Sequence, residues 1–395
     1  MLLIHLISEW GKNNYQLFQI IDAVIFLFFL IAVLYLLIFA IASLGKSDGK
    51  YPETTNFKKI LVVFSYFQDD DVIIESILNF RNHQDYPTDR YSIFIIGTQF
   101  TETHKSFFQE NALKYLESDN GTTKIGQLKS LILQTDIDEV NADIILLLES
   151  NNLVDTDMLR KINNAYYAGC DAVQTHRIAK ERETSVQILD AVSEEINNSI
   201  FRKGHTRLGF SSALIGSGMA FDYQLFRDTI MKAQSHNIDK YLEREFLKND
   251  IYIEYLESVF TYDEKATNEK VFYQQRNTWI ANHFWNLYKG ILYLPLAFFQ
   301  RKWDYCDKLF QWMMPSRVVL LGMIFILAFV ITIISWTNSI KWWGLLLLLI
   351  ITLIIAIPNY LVDNKLRKAI YHIPYIFILM LRGFVHFNHG LKSDR

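Results

Sequence analysis

Three uncharged apolar stretches constrain this chain more than any other feature of its sequence. Each approaches the roughly 20 residues needed to cross the hydrocarbon layer of a bilayer, and they cover Ala23–Leu44, Val318–Trp336 and Trp342–Val362. The first is too long for the core of a signal peptide, and no small-residue cleavage site follows it, so it predicts an anchor. A fourth apolar stretch, residues 371–387, is interrupted by a proline and an arginine. We expect it to be interfacial or re-entrant rather than spanning.

The distribution of lysine and arginine predicts how these segments are oriented. Four lysines soon follow the first stretch and one precedes it, and three basic residues follow the third. Because cytosolic loops are enriched in Lys and Arg, we expect the middle of the chain to be cytosolic and the N-terminus to be outside. The net charge of −3 does not favour nucleic acid as a partner. Cys170 and Cys306 are far apart, which fits a reducing compartment.

The middle of the chain alternates short apolar runs with amphipathic stretches. The runs KKILVVFSYF, YSIFIIG and ADIILLLES resemble buried strands, and the segments between them have helical periodicity. Alternating strands and helices are typical of βαβ units. Residues 56–278 are therefore predicted to form one α/β domain with a Rossmann-like, mostly parallel sheet.

An aromatic-rich segment interrupted by basic residues follows this domain, at 279–317. Trp and Tyr favour the headgroup layer of a bilayer, so we interpret the segment as helices lying on the cytosolic membrane surface, with Trp285, Trp303 and Trp312 at headgroup depth. Ordinary core helices are the alternative. The chain is thus divided into five parts. They are an anchor and linker (1–55), the α/β domain (56–278), the interfacial helices (279–317), two transmembrane helices (318–362), and a basic loop with the interfacial or re-entrant segment (363–395).

One predicted strand ends abruptly in polar residues, in the sequence IILLLESNN. Glu149, Ser150, Asn151 and Asn152 follow five aliphatic residues. Ligands of open α/β sheets bind at the carboxyl ends of the strands. A pair of carboxylates there would suggest a divalent cation that holds a nucleotide diphosphate. This chain has one carboxylate and an amide.

The order of domain, amphipathic helices and paired spans resembles a membrane-anchored family 2 glycosyltransferase, the group with the GT-A fold that includes cellulose, chitin and hyaluronan synthases. The resemblance covers about 56–362 and rests on five motifs in the family's order. They are FSYFQDDDVI (64–73), KIGQLK (124–129), ESN (149–151), IGSGMAF (215–221) and QQRNTW (274–279).

The resemblance implies a donor site for a nucleotide-sugar, most simply a UDP-sugar. Its residues would be Gln68, Asp69, Thr98, Lys124, Glu149, Asn151 and Arg276. Glu149 and Asn151 would be the ligands of Mg²⁺ or Mn²⁺, in a site weakened because an amide offers oxygen without charge. The sequence departs from the family at three donor positions. Gly97 and Thr98 stand where a uracil-reading Asp is expected, Asn151 replaces the second metal acid, and Thr278 replaces an Arg.

The acceptor half of the family pattern is better preserved. Gly216, Ser217 and Gly218 would form the acceptor loop, where glycines let the backbone approach an incoming sugar, and Trp279 would line the entrance. The resemblance implies that Asp239 is the general base that removes a proton from the acceptor hydroxyl. Asp239 also begins an apparent helix, so a role as its N-cap is the alternative.

These features predict a membrane-bound inverting glycosyltransferase of a bacterial inner membrane. It would move a sugar to a lipid-linked or polysaccharide acceptor on the cytosolic face. Three spans cannot enclose a secretion channel unaided, so partner subunits are possible. The alternative is a catalytically weak or inactive subunit or scaffold of an envelope-polysaccharide assembly, because the departures concentrate in the donor half.

Overall fold

The computed structural model describes most of the chain, namely residues 15–45, 51–66, 72–119, 122–137, 141–233, 237–265, 287–288 and 290–372. Several sequence predictions lie outside the described residues. They concern Gln68, Asp69, Arg276, Trp279, Trp285, the boundary at 278, and all but two residues of 371–387.

An eight-stranded sheet forms the centre of the soluble part. Its strands are β1 (Ile60–Tyr66), β2 (Tyr91–Thr98), β3 (Lys114–Ser118), β4 (Ile144–Glu149), β5 (Leu153–Val154), β6 (Ala172–Ala179), β7 (Met219–Asp222) and β8 (Ile253–Asp263). Their spatial order is β3-β2-β1-β4-β7-β6-β8-β5. The pairs β1–β2, β1–β4, β2–β3 and β6–β8 are parallel, whereas β4–β7, β6–β7 and β5–β8 are antiparallel. The α/β prediction is confirmed, and the expectation of a mostly parallel sheet is confirmed in part. The sheet is mixed, because β7 within it and β5 at its edge run opposite to the strands they pair with.

The continuous apolar runs of the sequence are strands that are buried on both faces. In β1, Leu61 and Val63 face one hydrophobic core, while Ile60, Val62 and Phe64 face another on the opposite side of the sheet. Successive side chains of a strand point to opposite faces, so a central strand covered on both sides must be apolar throughout.

Helices cover the sheet and continue toward the chain's C-terminal part. Those described are α1 (Tyr15–Ala42), α2 (Val72–His83), α3 (Glu102–Glu110), α4 (Lys124–Ile137), α5 (Met158–Tyr167), α6 (Ser185–Asn197), α7 (His205–Arg207), α8 (Tyr223–Ile230), α9 (Ile238–Lys248), α10 (Leu294–Phe299), α11 (Trp303–Met313), α12 (Arg317–Ile334), α13 (Trp336–Ile355) and α14 (Asn364–Ala369). A π-helical segment, Asn198–Gly204, joins α6 to α7.

Three of these helices are long and apolar enough to cross a membrane, at Gln16–Ala42, Arg317–Ile334 and Trp336–Ile355. The first and third begin earlier than predicted from uncharged stretches, because their charges are paired. Lys341 Nζ lies 2.5 Å from Asp22 Oδ2, and Trp342 Nε1 donates to Asp22 Oδ1 at 2.7 Å. The third ends at Ile355, shortly before a proline that cannot continue a helix.

Helices α10 and α11 have one face against the soluble domain and one face exposed. Tyr305, Leu309 and Trp312 belong to the same core as the sheet residues Leu61 and Phe94. The expectation that Trp312 lies at headgroup depth is therefore wrong, because its ring, 3% exposed, is needed to close that core. Trp303 is 52% exposed and lies on the outer face with several large apolar side chains, namely Leu292, Leu296, Phe298 and Phe299.

Helix α1 docks onto the domain at the end that precedes the linker. The Tyr35 hydroxyl donates to Asp307 Oδ1 at 2.6 Å and lies 2.8 Å from His205 Nε2. The Phe39 ring stacks on the His205 ring with centroids 3.6 Å apart. A Cβ on Gly204 would lie 2.2 Å from the Phe39 carbonyl oxygen, so only glycine permits this approach.

Candidate functional site

The carboxyl end of β4 delivers Glu149 to the edge of the sheet beside β1. Ser65 and Glu149 are partners in the parallel pairing of these strands, and the Ser150 N–H donates to the Ser65 carbonyl at 3.0 Å. Asn152 is buried, and its side-chain oxygen accepts from the Glu149 N–H at 2.9 Å. The strand therefore ends in a fixed turn that leaves the Glu149 side chain 34% exposed.

Lys124 connects this strand end to residues 216–218, which we call the glycine loop. It is the first residue of α4, its Nζ lies 3.4 Å from Glu149 Oε1, and it donates to the Gly216 carbonyl at 3.2 Å. A lysine at this place can offer a positive charge to any anion bound against Gly216.

Glu149 and Asp239 meet at Gly216. The Gly216 N–H donates to Asp239 Oδ2 at 3.3 Å, and a Cβ built on Gly216 would lie 3.3 Å from Glu149 Oε1. Two carboxylates that the sequence places 90 positions apart therefore both lie against the half-buried backbone of Gly216.

The N-cap of α9 is Asn237, not Asp239. The Asn237 side chain accepts from the Lys240 N–H at 2.9 Å, and Asp239 lies within the first turn. Asp239 is half-buried and directed at the glycine loop. The capping alternative for Asp239 is thereby removed, and its role as a base stays a proposal.

The glycine loop is packed more tightly than the sequence suggests. Ser217 is fully buried, and Gly218, with φ +67°, lies against the strands, where a Cβ would come within 2.1 Å of Thr175 Oγ1 and 2.6 Å of Thr261 Oγ1. The close backbone approach at Gly218 is therefore to β6 and β8 and not to a ligand. Of the three loop positions assigned to the acceptor, Gly216 is the accessible one.

Thr98 ends β2 at the same carboxyl edge of the sheet as Glu149, because β2, β1 and β4 are parallel neighbours. It is half-buried and is paired with Ser118 of β3. Gly97 before it has Tyr66 and Phe100 within 3.0 Å of a built Cβ, so a side chain there would disturb the first strand.

A buried charge network that the sequence analysis missed adjoins Glu149. Arg177 Nε lies 3.1 Å from Glu194 Oε1, and Arg177 Nη2 lies 2.8 Å from Asp263 Oδ2. Lys265 Nζ lies 3.1 Å from the same Asp263 oxygen and also pairs with Glu194. One signal was available in the sequence: Asp263 ends a strand, as Glu149 does. No nearby residues in the sequence indicated which carboxylates would pair with Arg177.

The network controls the charge of Glu149. Burial opposes ionisation of this carboxyl, but Lys124 and Arg177 outweigh it and hold its pKa below the usual range. The pKa of Arg177 is raised well above its usual range, since Asp263, Glu194 and Glu149 outweigh the effect of its burial. Glu149 and Arg177 are therefore both charged at neutral pH.

The residues at this edge do not fit a divalent cation. Among the described residues, no group of three or more His, Cys, Asp or Glu side chains is placed to hold a metal. The side-chain oxygen Oδ1 of Asn151 accepts from Asn152 Nδ2 at 3.2 Å, and the same Nδ2 donates to Asp263 Oδ1 at 3.3 Å. Each carboxylate near Asn151 already faces an ammonium or guanidinium group, whereas a metal ligand set carries uncompensated negative charge.

The chain is similar to a known protein family and to solved structures. Residues 144–355, more than half of the chain, match the family described as glycosyl transferase family group 2. A solved mannosyltransferase, PcManGT from Pyrobaculum calidifontis in complex with GDP-Man and Mn²⁺, is 14% identical, with TM-score 0.49 over 82% of this chain and 97% of that one. S. aureus TarS 1–349 with UDP-GlcNAc is 13% identical, with TM-score 0.38 over 71% of this chain and 82% of that one. A search of curated proteins found no match.

Proposed function

Because the chain belongs to glycosyl transferase family group 2, we propose that it is a membrane-bound inverting glycosyltransferase that uses a nucleotide-sugar. The donor would be a UDP-sugar and the acceptor a lipid-linked or polysaccharide hydroxyl. The observation that supports this proposal is the meeting of Glu149 and Asp239 at Gly216, since a transferase needs a leaving-group site and a base on either side of one sugar.

The reaction would be a single displacement. The acceptor oxygen attacks the anomeric carbon, the bond from that carbon to the diphosphate oxygen breaks, and Asp239 takes the acceptor's proton. Lys124, which lies beside Glu149, would neutralise the diphosphate as negative charge develops on it, and Arg276 of the QQRNTW motif would assist.

The proposed reaction would take place at a membrane surface. About a third of each candidate span is buried inside the protein, so large apolar surfaces of α1, α12 and α13 face outward. Such surfaces are stable in lipid. The exposed apolar face of α10 and α11, with Trp303, would lie along the cytosolic surface of a bacterial inner membrane and keep the site near a lipid-linked acceptor.

A transfer assay with membranes from expressing and non-expressing cells tests the proposal. Radiolabelled nucleotide-sugars would be offered singly to the full chain, and label in lipid or polymer fractions would be counted. We expect transfer by wild type and by Asp228→Asn, whose side chain is exposed on α8, and none by Asp239→Asn. Asp239→Asn should still bind the nucleotide.

The scaffold alternative predicts a different pattern. A chain that retained only acceptor binding would transfer no sugar from any donor, and Asp239→Asn would match wild type in every assay. Equal transfer by wild type and Asp239→Asn would instead assign the base to another residue and contradict the mechanism proposed here.

A further inference from the structure

We infer that this chain binds the donor's diphosphate with its own cations, Lys124 and Arg177, and without a divalent metal ion. The inference rests on the proposed function, because it concerns the same donor site. It starts from the charges that surround Glu149 in the described part of the chain. Three carboxylates and three cations are gathered there: Glu149, Glu194 and Asp263 with Lys124, Arg177 and Lys265.

Every carboxylate of this cluster faces a cation at close range. Glu149 faces Lys124 at 3.4 Å, and Asp263 faces Arg177 at 2.8 Å. A divalent ion bound to Glu149 and Asn151 would have to displace Lys124, and it would be repelled by both Lys124 and Arg177. Hard divalent cations are held by oxygen ligands whose charge is not already neutralised. The cluster therefore disfavours a metal.

A diphosphate can replace Glu149 as the partner of Lys124 in the same arrangement. The side chains of Lys124 and Arg177 are 15% and 16% exposed, so each reaches the surface beside Gly216. A Cβ on Gly216 would lie 3.3 Å from Arg177 Nη1 and 3.3 Å from Glu149 Oε1. Gly216 therefore lies in close contact with both the guanidinium and the carboxylate, and a larger residue there would crowd both groups. A guanidinium group and an ammonium group are both strong partners for phosphate oxygens.

Glu149 has a different role in such a site. It holds Lys124 in place when no nucleotide is bound, and it competes with the diphosphate for that ammonium group. Arg177 is kept rigid by Glu194 and Asp263 on its other side. A metal site and a cation site therefore respond to loss of the Glu149 charge in opposite directions.

Calorimetry on the full chain in detergent micelles distinguishes the two kinds of site. UDP and GDP would be titrated in the presence of EDTA and, separately, of Mn²⁺. We expect a Kd within about twofold in the two conditions for the nucleotide that binds. Glu149→Gln should retain or tighten binding, Lys124→Gln should weaken it about tenfold or more, and Asn151→Asp should weaken it by adding negative charge.

Matched variants separate charge effects from loss of structure. Lys129 lies on the same helix as Lys124 but donates to the Ala233 carbonyl, so Lys129→Gln should bind as wild type does. Lys124→Arg keeps a cation and should bind more tightly than Lys124→Gln. Thermal unfolding of each variant verifies that it is folded.

Two results would overturn the inference, and they differ in what they leave standing. Binding that requires Mn²⁺ and is abolished by Glu149→Gln would establish a metal site and leave the proposed function intact. Folded wild type that binds neither nucleotide in either condition, and transfers no sugar in the membrane assay, would reject the inference and the proposed function together.

Discussion

Lys308 of α11 and Glu243 of α9 form an ion pair inside the protein. Their Nζ and Oε1 atoms are 3.8 Å apart, and the side chains are 2% and 0% exposed. Glu243 also accepts from the Leu214 N–H at 2.7 Å, directly before the glycine loop, and lies one helical turn after Asp239. The helix preceding the first C-terminal span thus contacts the helix that carries Asp239 and is linked through Glu243 to the residue before the glycine loop.

Removing the charge of Glu243 should destabilise the domain strongly. Glu243→Gln leaves Lys308 and Lys240 without their carboxylate, and breaking a buried pair typically costs about 3–5 kcal/mol. Lys308→Met should cost less, because Lys240 still pairs with Glu243 at 2.9 Å. Chemical denaturation in detergent measures both. Equal losses for the two variants would contradict a shared ion pair.

The contribution of Glu194 to stability should disappear in acid. Burial opposes its ionisation, but Arg177, Lys265 and Arg202 lower its pKa from 4.5 to about 2. A depressed folded-state pKa means that the stabilisation is complete above pH 4.5 and is lost as pH falls toward 2. Burial raises the pKa of Asp263, so total stability mixes opposite contributions.

A difference measurement isolates Glu194. The stability gap between wild type and Glu194→Gln should be largest near neutral pH and should narrow between pH 4.5 and 2. Glu183→Gln, at an exposed position, should differ little from wild type at any pH. A gap that stays constant over this range would show that the Glu194 carboxylate is not stabilised by its cations.

Two glycines with positive φ should respond very differently to alanine. Gly209→Ala meets no atom within 4 Å at φ +80° and should cost only the backbone term, about 1–2 kcal/mol. Gly218→Ala should have a similar backbone cost. Its Cβ would also lie 2.1 Å from Thr175 Oγ1, and this overlap should add about 1–3 kcal/mol to the loss of stability. Denaturant unfolding compares them. Similar losses would mean that the loop at Gly218 moves away from β6 freely.

Labelling of single cysteines tests the orientation in the membrane. In a chain with Cys170 and Cys306 replaced by Ser, Thr337→Cys should react with an impermeant maleimide on intact cells. Lys368→Cys should react only after permeabilisation, since basic residues after a span favour the cytosol. The reverse pattern would place the proposed site on the wrong side for a nucleotide donor.

The sequence was sufficient to predict the main strands because burial on both faces leaves an unmistakable composition. It was not sufficient for β3 and β7. Lys114–Ser118 is an edge strand with charged residues, and Met219–Asp222 is only four residues long. Neither therefore shows a clear alternation of apolar and polar residues. Trp312 was misplaced because an aromatic residue near a span has the same composition whether it faces lipid or a core.

At the candidate site, the positions of the motifs along the chain were enough to predict that Lys124, Glu149, Gly216 and Asp239 lie close together. The charge network was not foreseeable in the same way. Asn152 and Asp263 are 111 positions apart, and Lys265 and Glu194 are 71 positions apart. A buried cation is acceptable only where the fold supplies its partner, and that pairing is a property of the tertiary structure.

The docking of α1 has a consequence for how the molecule is made. Its contacts join Tyr35 to His205 and Asp307, which lie 170 and 272 positions later, and Asp22 to Trp342, 320 positions later. Synthesis proceeds from the N-terminus, so this helix is made while these partners do not yet exist. Asp22 therefore lacks Lys341 and Trp342 as partners until the third apolar helix has been synthesised. This helix is therefore made long before the residues that complete its packing.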